Sequence, residues 1–291
     1  MALEMIMQQA MIRSLALLAC AAAPAGAAED AGDPMVIEHP EKIGIGTTRR
    51  STEAAMLAEV ENVGANWFYT WEPTIASVSV KFTPMVWGSK DMAKLGAISG
   101  GALLAFNEPD HADQAKLTPA QALAFWPRLM ALGRRLGSPA SAESAVGPGR
   151  WLPTFMAEAK ARWYRVDFVA VHHYSTSTDI PSFKQYLAQI HAAYGKPIWV
   201  TEWALADFTN HSRFTPEQQQ AYFIAAARMM DDLPYVERHA WFGMYEGLGN
   251  LRLGSGLLRD DGVLSPVGVA FRALAKATPP RSDEVDRQAR R

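Results

Sequence analysis

From residue 42 onward, short apolar runs alternate with longer stretches in which apolar residues recur every three to four positions. The runs at 42–47, 66–72, 82–88, 102–108, 136–142, 167–174, 197–203 and 239–246 read as strands, several of them apolar on both faces. Between them, 52–63, 119–133, 151–163, 182–194 and 216–232 carry the helical period, and Ser265 to Ala275 carries it once more. Thr118-Pro119 and Thr215-Pro216 each supply a capping hydroxyl followed by proline at the first helical position. Gly137 and Gly195 follow helical patterns, where a left-handed residue commonly ends a helix. The 89–98 connection is weak and predicts no more than a short helix.

Eight strand-then-helix units in about 240 residues predict an α/β chain folded as a single (β/α)8 barrel. The competing architecture, an open doubly wound sheet, calls for a glycine-rich phosphate turn. Gly44-Ile45-Gly46 is too short for that and reads as a tight position in the barrel. No internal repeat or linker divides the chain. The barrel domain is expected over 41–278, after a loose entry segment at 29–40 and before a disordered tail at 279–291, which opens with Pro279-Pro280 and is rich in charge.

In such a barrel, chemistry is done at the C-terminal ends of the strands. Glu108 ends the fourth run and Glu202 lies at the end of the seventh. A carboxylate there must meet water, a partner or a ligand, because burying it unpaired is costly. Two at the same mouth match glycosidic bond cleavage, which needs one carboxylic acid to protonate the leaving oxygen and one carboxylate to attack or to activate water. Asn107, directly before Glu108, is placed to hydrogen-bond a sugar hydroxyl. In Val171-His172-His173-Tyr174, alternation sets His172 and Tyr174 on one face and His173 on the other. An inward Tyr174 hydroxyl would hold a carboxylate ionised, and His172 would orient it or a sugar hydroxyl. Adjacent histidines on a strand point apart and have no evident third ligand, so no metal site is expected. Trp71, Trp87, Trp203 and Trp241, at or near strand ends, are candidates for stacking on sugar faces; the alternative is that they fill the core. Trp126, Trp151 and Trp163 sit on helical patterns and read as packing residues, and Asp110 as a cap. Glu72 and Glu246 are weaker candidates for a third acid. The chain has no nucleophile-elbow serine, Walker motif or zinc-binding helix.

Composition narrows the setting. Of 291 residues, 49% are hydrophobic and 20% charged, which is globular, and a net charge of −2 offers nothing to nucleic acid or an anionic membrane. No apolar stretch is long enough to span a bilayer. Arg13, the apolar run Leu15 to Ala23 and the small residues up to Ala28 read as a secretory signal over 1–28, with Met11 an alternative start, so export to the periplasm or the medium is expected. Leu17-Leu18-Ala19-Cys20 resembles a lipoprotein box, the weaker alternative because it leaves too short an apolar core. Cys20 is the only cysteine, so a chain cut after it has no disulfide.

Taken together, several segments resemble the glycoside hydrolase family 128 catalytic domain, also called the Asl1-like domain. They are Phe68-Tyr69-Thr70-Trp71-Glu72-Pro73, Pro84-Met85-Val86-Trp87-Gly88, Phe106-Asn107-Glu108-Pro109-Asp110, Val166 to Tyr174, Lys196 to Trp203, Trp241-Phe242 and Asp261 to Gly268. The resemblance runs from about Gly44 to Leu274. It implies a retaining β-1,3-glucanase on a (β/α)8 barrel, with Glu108 as acid/base and Glu202 as nucleophile. The expected partner is a β-glucan; the sequence gives no reason for a metal or organic cofactor, and a monomer is expected. Thr70, His173 and the segment Met244 to Asn250 depart from the family pattern, which leaves endo and exo action open. Two rivals remain: the same machinery on another β-glycan such as β-1,4-glucan or mannan, and a β-glucan-binding protein without turnover.

Overall fold

The computed structural model describes residues 36–248 and 251–277. The expected signal, Cys20, most of the entry segment and the charged tail lie outside them. Eight parallel strands form a ring in chain order. Ile43–Gly46 (β1) pairs with Trp67–Tyr69 (β2) on one side and with Val236–Trp241 (β8) on the other. Met85–Val86 (β3), Ala102–Asn107 (β4) and Arg135–Ala140 (β5) make a three-stranded sheet. Val169–Ser175 (β6) and Ile198–Leu205 (β7) complete a five-stranded sheet in the order β2-β1-β8-β7-β6. Single parallel bridges, Phe68 to Phe82 and Gly137 to Phe168, join the two sheets and close the barrel.

Six α-helices pack outside it among the described residues: Glu53–Val63 (α1), Pro119–Met130 (α2), Trp151–Ala161 (α3), Ile180–Tyr194 (α4), Pro216–Asp231 (α5) and Pro266–Ala275 (α6). One flank is less regular than the rest, in keeping with the weak 89–98 connection. The connection from β2 to β3 has no α-helix, and that from β3 to β4 has two 3-10 turns, Ser89–Ala93 and Leu95–Ala97. No helix among the described residues is long and apolar enough to cross a membrane.

Local rules account for the element ends. The Thr118 and Thr215 hydroxyls accept from the backbone N–H of Gln121 and Gln218, whose side chains accept in return from the threonine N–H groups. Each capping box satisfies two donors that the first helical turn leaves orphaned. Gly195 ends α4 at φ 59° as expected. Gly137 does not end a helix. It lies inside β5, where a Cβ would sit 2.4 Å from the Phe168 ring. The positive φ after α2 belongs to Gly133, at 68°. The last strand also starts three residues earlier than its apolar run suggests. Glu237 and Arg238 belong to β8 at the barrel base, where Glu237 binds Arg135 and accepts from Trp199 Nε1, while the Arg238 guanidinium lies 4.5 Å from the Trp199 ring.

Candidate active site

Both glutamates are buried, at 2% and 3% exposure, and both reach the C-terminal mouth of the ring. Glu108 follows β4 directly, and its N–H donates to Ala140 O of β5 at 2.8 Å. The backbone turns there through left-handed φ values of 42° at Phe106 and 39° at Glu108. Side chains with a Cβ avoid that region, at a cost of about 1–3 kcal/mol each, so the packing around the strand end must hold them in it. Glu202 stands within β7 opposite His172 of β6, just past a register shift between Val171 and His172.

His172 Nδ1 lies 2.9 Å from Glu108 Oε1 and 3.6 Å from Glu202 Oε2. One donor or acceptor atom from each of Glu108, His172 and Glu202 falls within 4.8 Å of the others. Three further donors converge on Glu202. Trp71 Nε1 donates to Oε1 at 2.8 Å, Tyr174 OH donates to Oε2, and the single Tyr69 hydroxyl proton is shared between Thr201 O at 2.9 Å and Glu202 Oε1 at 3.3 Å. The three-residue set has the ligand chemistry of a small cation site. With indole and phenol donors already on the Glu202 lone pairs, it is better suited to holding and moving a proton.

Burial pushes the Glu202 carboxyl above its ordinary pKa; His172 and the Tyr174 and Trp71 hydrogen bonds oppose that push, and Glu108 adds to it. For His172, burial alone would lower the pKa, but Glu202, Glu108 and Asp110 reverse the direction and raise it. His239, equally buried but facing Lys42 instead of carboxylates, is lowered to about 3. The contrast isolates the carboxylates as the cause at His172. Tyr69 and Tyr174 are raised well above ordinary phenols by burial first and Glu202 next, so both remain donors.

Alternation holds on β6: His172 and Tyr174 face the carboxylates, and His173 stacks outward on Phe183 of α4 at 3.9 Å. Asn107 Nδ2 donates to Gln114 Oε1, while Asn107 Oδ1 and His172 Nε2 are buried with no hydrogen-bond partner. Asp110 is a bracket. Its oxygens accept from Ala142 N–H and Glu143 N–H at 2.8 Å each, tying the loop after β4 to the loop after β5. A cleft of about 1280 Å³ opens beside Glu108 and is walled in part by Tyr174, Phe208, Trp151, Arg150 and Arg213.

The tryptophans divide differently from the sequence reading. Trp71 is buried and serves Glu202 through its N–H. Trp87 is nearly buried, with the Lys90 ammonium 4.6 Å from its ring. Trp203 and Trp241 are fully buried on the helix side of the strands: Trp203 stacks on Phe223 of α5, and Trp241 meets both. They fill the core between barrel and helices, so a role in sugar stacking is corrected for these two. Glu202 facing inward obliges its neighbour Trp203 to face outward, a signal present in the sequence. Trp126 packs as expected, Trp151 reaches the cleft wall, and Trp163 stands 94% exposed. Tyr69 went unselected, although it shares the inward face of its segment with Trp71. Both rings fit because Gly46 has no side chain: a Cβ there would lie 2.9 Å from Trp71 and 3.0 Å from the Tyr69 hydroxyl.

Comparison with known proteins agrees with this geometry. The model of the glycosyl hydrolase catalytic core matches residues 44–271. Alkali-sensitive linkage protein 1 of Schizosaccharomyces pombe is 30% identical over 226 residues, which are 72% of this chain but 40% of that protein, so the chain spans well under half of its length. Among solved structures, a family 128 subgroup I endo-β-1,3-glucanase from Amycolatopsis mediterranei, in complex with laminaripentaose, is 35% identical with a TM-score of 0.72, over 80% of this chain and 99% of that one. A subgroup III curdlan-specific exo-β-1,3-glucanase from Blastomyces gilchristii, in complex with glucose, is 28% identical with a TM-score of 0.62, over 81% and 99%. With its barrel matched end to end and two glutamates meeting at the mouth, this chain belongs to the glycosyl hydrolase catalytic core family.

Proposed function

We propose that the chain hydrolyses β-1,3-linked glucan with retention of anomeric configuration, with Glu202 as nucleophile and Glu108 as acid/base. The observation that carries the pairing of these residues is the convergence of the two buried carboxylates, one oxygen of each within 4.8 Å of the other, while retention follows from the family resemblance. Retaining glycosidases hold their carboxyl groups ~5–5.5 Å apart, whereas inverting ones leave ~6.5–9.5 Å for a water.

Glu202 attacks the anomeric carbon while Glu108 gives its proton to the glycosidic oxygen. The C–O bond breaks, the shortened glucan leaves as an alcohol, and the sugar remains as an ester on Glu202. Water then enters beside Glu108, which takes one proton as the oxygen attacks, and the ester bond breaks to free Glu202. The donors from Trp71, Tyr69 and Tyr174 stabilise Glu202 as attacking anion and as leaving carboxylate. Because burial raises the Glu202 pKa, the acid-side fall in activity is expected at a higher pH than an ordinary carboxyl would set. The substrate class follows the laminari-oligosaccharides bound by similar enzymes. Both carboxylates come from one chain, which suits a monomer. Residues 1–28 suit export toward an external polymer.

Hydrolysis of laminarin, followed by proton NMR in the first minutes, should yield the β-anomer of the new reducing end. An α-anomer would overturn retention. A panel with β-1,4-glucan and mannan should show slower cleavage of both; faster cleavage of either would move the substrate assignment. Tight glucan binding without product would replace the enzyme with a binding protein.

A further inference from the structure

Tyr174 donates to the Glu202 oxygen from a ring gripped on two sides. Phe208 meets it edge-on at 4.9 Å and 84°, and Phe242 at 5.5 Å and 89°. Phe242 is fixed by strand geometry, since its N–H donates to Trp203 O of β7. Phe208 belongs to the loop after β7, which the Asp207 side chain folds into a clasp. One Asp207 oxygen accepts from Thr209 N–H at 2.9 Å, Thr209 Oγ1 at 2.7 Å and Asn210 N–H at 3.1 Å; the other accepts from Arg213 Nη1 at 2.8 Å. Phe208 also walls the cleft, so it touches the phenol that serves Glu202 and the space where the glucan would lie.

We infer that Phe208, locked by the Asp207 clasp, is a positioning residue that holds the Tyr174 hydroxyl on the Glu202 carboxylate. A hydrogen bond weakens steeply when its donor swings off line, and an unsupported phenol ring is free to swing. The effect must therefore appear in the ionisation and reactivity of Glu202 and not only in substrate affinity. The Asp207 carboxyl is held well below the usual carboxylate range by Arg213 and Thr209, so the clasp persists across the pH range in which Glu202 titrates. The groups facing Glu202 that also bear on that titration are Glu108, His172, Tyr69, Trp71 and Tyr174.

The inference rests on Glu202 being the nucleophile. The test compares wild type, Phe208→Ala, Phe208→Tyr, Asp207→Asn, Tyr174→Phe and the double variant Phe208→Ala/Tyr174→Phe on laminarihexaose. It reads kcat and KM separately, with the acidic limb of kcat against pH and Tm as controls. Phe208→Ala should lower kcat about tenfold, with a smaller change in KM, and move the acidic limb to higher pH, because the Tyr174 hydrogen bond favours the ionised carboxyl. Phe208→Tyr, which keeps the ring edge, should restore the limb, and Asp207→Asn should fall between. In the Tyr174→Phe background, Phe208→Ala should add less than about twofold. A rise in KM with an unmoved limb, or full additivity with Tyr174→Phe, overturns the inference and leaves Phe208 as cleft wall. If Phe208→Ala does not fold, Phe208→Leu and Asp207→Asn carry the same readout. Normal activity in Glu202→Ala would remove the nucleophile assignment itself, a different failure from loss of the Phe208 effect alone.

Discussion

Glu108 and Glu202 are buried to the same degree and differ in what surrounds them. Glu202 faces an indole N–H and two phenol hydroxyls in addition to His172. Glu108 faces the His172 ring and the open cleft. Donors favour the anion, whereas contact with a cleft gives a proton a route to a leaving oxygen and to water. In the proposed mechanism, the division of labour between these two identical side chains follows their neighbours.

The sharpest way to break this comparison is Glu202→Ala, which should lower laminarin hydrolysis on the order of 10⁴-fold or more, measured as reducing ends with the fold checked by circular dichroism. Next is Glu108→Ala, expected to cost about 10²–10⁴-fold on glucan. Its loss should be much smaller on an aryl glucoside whose leaving group needs no proton, and azide should restore turnover there. Equal losses on both substrates would make the two glutamates interchangeable and end the distinction. Tyr174→Phe removes one donor from Glu202 and should cost roughly 10–10²-fold in kcat, with the acidic limb moved upward. The smallest effect concerns the group the two glutamates share. With its pKa raised in the fold, His172 adds stability at pH values below the ordinary imidazole range, and this is lost as pH rises through the raised value. The Tm gap between wild type and His172→Gln should therefore be widest near pH 5–6 and narrow by about 2–4 °C toward pH 9, the shift expected from ~1 kcal/mol in a domain of this size.

Much of this site was legible because strand alternation is a strict rule. It places His172 and Tyr174 together and His173 apart, and one residue past Glu202 it turns Trp203 away from the mouth. Composition obscured other features. The apolar run misses Glu237 and Arg238, whose partners, Trp199 and Arg135, lie far away in sequence. Gly137 resembled a helix end because the reason for its missing side chain is Phe168 on the next strand. Phe208 carries no local mark, since its importance comes from Tyr174, 34 positions earlier by their numbers. Features set by local geometry can be read along the chain, and those set by contact between distant segments cannot.

The barrel is closed by only two narrow seams, at Phe68–Phe82 and Gly137–Phe168, and these seams separate the sheet that carries Glu108 from the sheet that carries Glu202. The gap between Glu108 and Glu202 is thus a joint between two stiff panels, stitched at one edge by Ser138 N–H donating to Phe168 O and Asp167 N–H donating to Leu136 O. Warming or mild urea should loosen that joint before either panel melts. Catalysis would then fade while ellipticity holds, and amide exchange at Ser138 and Thr83 would report the loosening first.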